Sequence, residues 1–115
     1  MDNDENRLEW LLEFIRDLAG KDSRPLIWAS LEAEERARDI IHNNLANVLP
    51  KRGVDYAAII IRRYRNDEDF ITIGGGRRER GRQRVARALR MLRWQMRVRR
   101  ELDELLDCVT EVNDD

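Results

Sequence analysis

Eleven arginines fall between Arg77 and Arg100, and Glu79 is the one acid that interrupts them. A guanidinium stays charged at any working pH and is rarely buried without a partner. Whatever this stretch folds into must keep one side in water or against an anion. Val85, Leu89, Leu92 and Met96 recur among the arginines at three- and four-residue spacing, the period of one helix face. The stretch is therefore constrained to a surface helix with an apolar line inward and a cationic line outward. It begins straight after Gly74-Gly75-Gly76, a natural break between elements.

The rest of the chain offsets this charge. Residues 1–50 sum to −5, residues 51–100 to +11 and residues 101–115 to −7, so a net −1 hides a segregated pattern. Such segregation points to a polyanionic partner. A solvated helix face is the plainer reading, but the acids that would pair with these arginines at helical spacing are missing. At 115 residues, with 42% hydrophobic content, the chain is expected to form a single globular domain over 1–115. A charged fraction of 39% suggests a surface committed to a partner or a second subunit. One cysteine, Cys108, rules out an intramolecular disulfide and fits a reducing compartment. Asp2, Asp4 and Glu5 give the start the wrong sign for a secretory signal, and no membrane-spanning apolar run is present. A soluble, cytoplasmic protein is expected.

Along the chain, the spacing of Leu8, Leu11, Leu12, Ile15 and Leu18 predicts a helix over 4–19, with Trp10 and Phe14 beside the stripe and Gly20 as its stop. A loop follows over 21–25. A second helix is expected from about Ser30 to Leu49, with Ala33, Ala37, Ile40, Ile41, Leu45 and Val48 as its core face. Pro50 ends it, and Lys51-Arg52-Gly53 makes a turn. The β-branched run 56–64, a polar turn at 66–69 and Phe70-Ile71-Thr72-Ile73 read as a β-hairpin. The final helix is expected over about 78–112, its second half burying Met91, Val98, Leu102, Leu105 and Val109. The expected class is α+β, with two N-terminal helices, a β-hairpin and a long C-terminal helix.

Chemistry for catalysis is scarce. One His and one Cys cannot make a metal site with spaced carboxylates, and no nucleophile–base pair stands out. His42 reads as a surface residue. Cys108, beside acidic residues, is expected to have a raised pKa. No catalytic residue, metal or cofactor is expected, and an enzyme is not.

The remaining constellation is strand, glycines, arginines, helix. Gly75 and Gly76 could turn backbone N–H groups toward an anion at the positive end of a helix. Arg77, Arg78, Arg80, Arg82 and Arg84 would surround that point, with Arg87 supporting; guanidinium forks suit phosphate geometry. Arg63 and Arg65, alternate residues of a strand, would extend the basic face. No Walker sequence is present.

The segment from Ile73 through Gly74-Gly75-Gly76-Arg77-Arg78 to Leu89 resembles the end of a double-stranded-RNA-binding domain, where a glycine-flanked basic turn precedes a helix that grips duplex phosphates. It departs at Glu79. The order from Tyr56 to about Leu92 also resembles the tombusvirus-type suppressors of RNA silencing, dimers that cap RNA duplexes with N-terminal tryptophans. That resemblance implies such a place for Trp10, although the paired tryptophan is absent. Both imply a non-enzymatic, sequence-independent binder of nucleic acid, double-stranded RNA favoured, and the second implies a homodimeric viral suppressor of RNA silencing in the cytoplasm of a host cell. Two other readings stay open. One is a small phage-type inhibitor or adaptor that docks on an acidic protein surface or blocks a nucleic-acid machine. The other is a dimerisation module in which Arg90–Arg100 pairs with the acidic 101–107 segment of a second copy.

Overall fold

Leu11, Ile15 and Leu18 share one face at helical spacing, and in the computed structural model that face is buried along α1 (Trp10–Ala19). The structure describes residues 10–20 and 25–112. The expected helical start over 4–9 with Leu8, the loop residues 21–24 and residues 113–115 lie outside the described residues. Trp10, which its place beside the apolar stripe assigns to the core and only the resemblance to a duplex end, is 7% exposed and belongs to the core. It stacks obliquely on Phe14 at 6.2 Å, and Phe14 in turn meets Tyr64 edge-on at 5.5 Å. Three aromatic rings in contact bury too much apolar area to be left for a ligand.

The second helix, α2 (Leu31–Asn47), starts where the sequence places it. Ser30 is its N-cap and accepts the Ala33 N–H at 3.0 Å. Its core face is Ala37, Ile40, Ile41 and Leu45, continued by Val48, with Ala33 half-buried against them. Asn44 lies fully buried on this face. Its amide nitrogen donates to the Ile40 carbonyl at 2.8 Å and to Glu101 Oε1 at 2.9 Å, and its Oδ1 accepts from Gln95 at 2.9 Å. A buried amide is tolerated because its groups are partnered.

The molecule is mixed helix and strand, with helices at its start, a two-stranded antiparallel sheet and a long late helix. The strands are not where the sequence predicts them. β1 (Leu26–Trp28) pairs with β2 (Val109–Glu111), Ile27 opposite Thr110, which ties the segment between α1 and α2 to the last described residues. The expected hairpin over 56–73 is helical instead. It forms α3 (Tyr56–Ile60), a π-helical continuation over Ile61–Arg65, and α4 (Phe70–Ile73). Asp55 caps α3 through the Ala58 N–H at 3.1 Å, and Asp69 caps α4 through the Thr72 N–H at 2.8 Å. Tyr56, Ile59 and Ile60 are buried at helical spacing. A short β-branched run packed on several sides satisfies a helix as well as a strand, and here tertiary burial overrides propensity. The polar turn is exposed at Asn66, Asp67 and Asp69, with Glu68 half-buried. Glu68 accepts from Arg62 Nε at 2.9 Å, while Asp69, held below the usual carboxylate range chiefly by its bond from the Thr72 N–H, serves as a cap.

The longest helix, α5 (Arg78–Val98), is the hub against which α1, α2, α3 and α4 pack. It buries Gly81, Val85, Ala88, Leu92 and Met96. It does not run on to residue 112. Arg100 takes a left-handed conformation at φ 61°, and the Glu101 N–H reaches back to the Met96 carbonyl at 2.8 Å. With the Arg100 N–H on the Arg97 carbonyl at 3.0 Å, this is a Schellman stop. The break lets α6 (Leu102–Leu106) turn Leu102 and Leu105 into the core, while Val98 stays 61% exposed.

Candidate nucleic-acid interface

Arg80, Arg84 and Arg87 recur at four- and three-residue spacing, so they share one face of α5. Opposite them lies a tight turn that the sequence marks by Pro50-Lys51-Arg52-Gly53. Lys51 and Val54 exchange two backbone hydrogen bonds of 3.0 Å, and both central residues have positive φ, 54° at Arg52 and 77° at Gly53. That is the geometry of a type I′ turn.

Between turn and helix lie two adjoining surface clefts that share Tyr56 and Arg87. Lys51, Arg52, Arg90 and Met91 line one, and Val54, Arg80, Gln83 and Arg84 line the other. Six cationic side chains thus converge, and no carboxylate lines either cleft. Tyr56, 3% exposed, contributes to both linings.

The expected site residues divide. Arg80, Arg84 and Arg87 come together in the cleft. Arg84 has a second task, since its Nη1 donates to the Ile73 carbonyl at 2.8 Å and caps the C-terminal end of α4. Arg82, two residues on from Arg80, sits roughly 200° around the helix at 100° per residue. It is held by Glu79, with Nη2 to Oε2 at 2.5 Å, and this bond keeps the Glu79 carboxyl below its ordinary range. Arg78 shares Arg82's side of the helix by the same spacing. Arg77 is the exposed N-cap residue of α5 and makes no capping bond with its side chain.

Gly75 and Gly76 do not aim free donors at an anion. The Gly76 N–H goes to the Ile71 carbonyl at 2.8 Å and the Gly75 N–H to the Thr72 carbonyl at 3.2 Å, closing a second Schellman stop with Gly75 at φ 66°. The glycines are needed for the turn itself. Arg63 and Arg65 do not alternate on a strand, because their segment is π-helical. Arg63 lies over the Phe70 ring at 4.0 Å and donates to the Glu68 carbonyl at 3.1 Å, so it braces the turn; Arg65 is exposed.

Sequence reasoning missed Lys51, Arg52 and Arg90. Arg90, part of the Arg90–Arg100 stretch that one reading pairs with the acidic 101–107 segment of a second copy, lines the cleft with Arg87. The rear arginines divide in turn. Arg93 donates to the Leu18 carbonyl at 2.6 Å and so caps α1, and Arg99 lies 3.4 Å from Glu101. Arg80, Arg87 and Arg90 pair with no carboxylate among the described residues. The raised Cys108 pKa has burial as its first cause, ahead of the acidic neighbours the sequence suggested.

No group of three His, Cys, Asp or Glu side chains is placed to hold a metal among the described residues. None of the described helices is long and apolar enough to cross a membrane. The cleft is an open cationic surface built on one helix face and one turn. Compared with protein-family models, with curated proteins and with solved structures, the chain matches none.

Proposed function

We propose that this chain is a non-enzymatic nucleic-acid-binding protein that grips the sugar-phosphate backbone between the 51–54 turn and α5 without reading sequence, double-stranded RNA being its favoured form. The observation that carries the reading is the cleft lined by six cations and no acid. Guanidinium forks match phosphate oxygens bidentately. From Arg80 to Arg90 the helix rises about 15 Å, a length that meets several successive phosphates. Duplex RNA hides its base edges in a deep, narrow groove and is held through phosphates and 2′-hydroxyls, a task for a rigid cationic ledge. From the family resemblance the glycine turn, the arginines and the helix remain; α4 stands where a strand was expected.

Anisotropy titrations over a salt series test this, with an RNA duplex of ~20 bp and the matching DNA duplex. Binding through several phosphates lowers log K linearly with log salt, by about 0.9 per phosphate for B-DNA. Arg80→Glu with Arg87→Glu should abolish binding at moderate salt. Arg78→Glu with Arg82→Glu makes the same change in net charge on the other side of α5 and should leave most of the affinity. Equal losses in the two double variants would mean diffuse charge, not a cleft. No binding of the wild type at low salt would return the arginines to an acidic protein partner.

A further inference from the structure

Two large apolar side chains are exposed on α5, Trp94 at 62% and Val98 at 61%. They are i and i+4 and share a face. Trp94 also lies one turn beyond Arg90 and seven residues beyond Arg87, so it continues the line of the cleft arginines along the helix. A tryptophan is the largest apolar surface a chain can present, and leaving it in water forfeits stability unless something covers it.

From Arg80 to Arg100 the chain has no Asp or Glu. A two-fold self-contact centred on this face would crowd the arginines of two copies together, because an isologous interface brings the same patch from each. An apolar partner with negative charge on both sides fits instead. An unpaired nucleobase between its phosphates has this composition.

We propose that Trp94 is a stacking platform for an unpaired base of a single-stranded segment that extends from the duplex and whose neighbouring phosphates lie on Arg87 and Arg90. This rests on the cleft reading above and deepens it by naming the part of the ligand that is not backbone. Stacking on an aromatic side chain tolerates any base, in keeping with binding that does not read sequence. It also assigns the surface role of a tryptophan to Trp94, while Trp10 belongs to the core.

The test uses the full chain and two oligomers of equal length, oligouridine and an abasic strand with the same phosphates and no bases. Wild type should prefer oligouridine by roughly 5- to 150-fold, the range of stacking on one aromatic. Trp94→Ala should bring the two oligomers to parity and leave the salt slope, about 0.7 per phosphate for single strands, unchanged. Trp94→Phe should keep part of the preference. Arg80→Glu with Arg87→Glu should weaken both oligomers alike. Equal wild-type affinity for the two oligomers overturns the stacking role and leaves the cleft reading standing. A preference that survives Trp94→Ala overturns it also. If Trp94→Ala instead dissociates a dimer in sedimentation and leaves the base preference intact, a second copy covers the patch and the proposal is wrong. Wild type that binds neither oligomer at low salt overturns the stacking role, while the duplex titration decides the cleft reading separately.

Discussion

A missing β-carbon decides how closely α4 and α5 can cross. Gly81 lies inside the first turns of α5, where alanine would ordinarily be worth about 1 kcal/mol more than glycine. Here a β-carbon would run into the Phe70 carbonyl oxygen, and one at Gly74 would meet the Arg77 carbonyl. Backbone cannot yield as a flexible side chain can. Gly81→Ala is therefore expected to destabilise by roughly 1–3 kcal/mol, the range of overpacking, against the sign of helix propensity. Urea denaturation checks it. A neutral or stabilising result would mean that the α4–α5 crossing is looser than described. The same residue scale explains Tyr64. Burial first, then its 2.6 Å hydrogen bond to Asp17, hold its phenol protonated well above the usual tyrosine range. The rings of Phe14 and Tyr64 thereby join α1 to the π-helical turn.

At the scale of elements, the stops matter more than the helices. The α5 stop places Arg100 at φ 61°, a conformation glycine adopts freely and an L side chain enters at a cost of about 1 kcal/mol. Arg100→Gly should raise stability by roughly 0.5–1 kcal/mol, seen as a higher denaturation midpoint with an unchanged slope. The absence of a glycine there is also why the break was hidden in the sequence. Residues 91–109 keep an apolar period that a continuous helix would share, and nothing in a single chain marks an arginine as left-handed. Ser30 and the stripe of α2 were legible because a capping hydroxyl and a helical period coincide. The α3–α4 region was not, because Ile59-Ile60-Ile61 satisfies both periods and Asp55 and Asp69 act as caps only once the backbone has turned. The cleft was half legible. Arg80, Arg84 and Arg87 follow from spacing on one helix, whereas Lys51 and Arg52 reach them through tertiary folding across about thirty residues. β1 and β2 escaped for the same reason, since their pairing joins positions 26–28 to 109–111.

For the whole molecule, a cleft of like charges sets binding against stability. Lys51, Arg52, Arg80, Arg84, Arg87 and Arg90 repel one another in the free protein, and α5 carries a partial positive charge at the end where Arg80 sits. A carboxylate at position 80 would relieve that repulsion, favour the helix dipole and face Arg84 at i,i+4 in the stabilising order. Arg80→Glu alone is thus expected to stabilise the free protein by roughly 0.5–1 kcal/mol at low salt while weakening nucleic-acid binding. Thermal unfolding with and without added duplex separates the two effects. The variant should melt higher than wild type when free, yet gain less from the duplex, because stabilisation by a ligand scales with its affinity. Near 1 M salt, where the screening length falls to about 3 Å, the difference between the free proteins should shrink toward zero. A variant that melts lower than wild type at low salt would show that Arg80 is a structural residue. One that melts higher and gains as much from the duplex as wild type would take Arg80 out of the phosphate site.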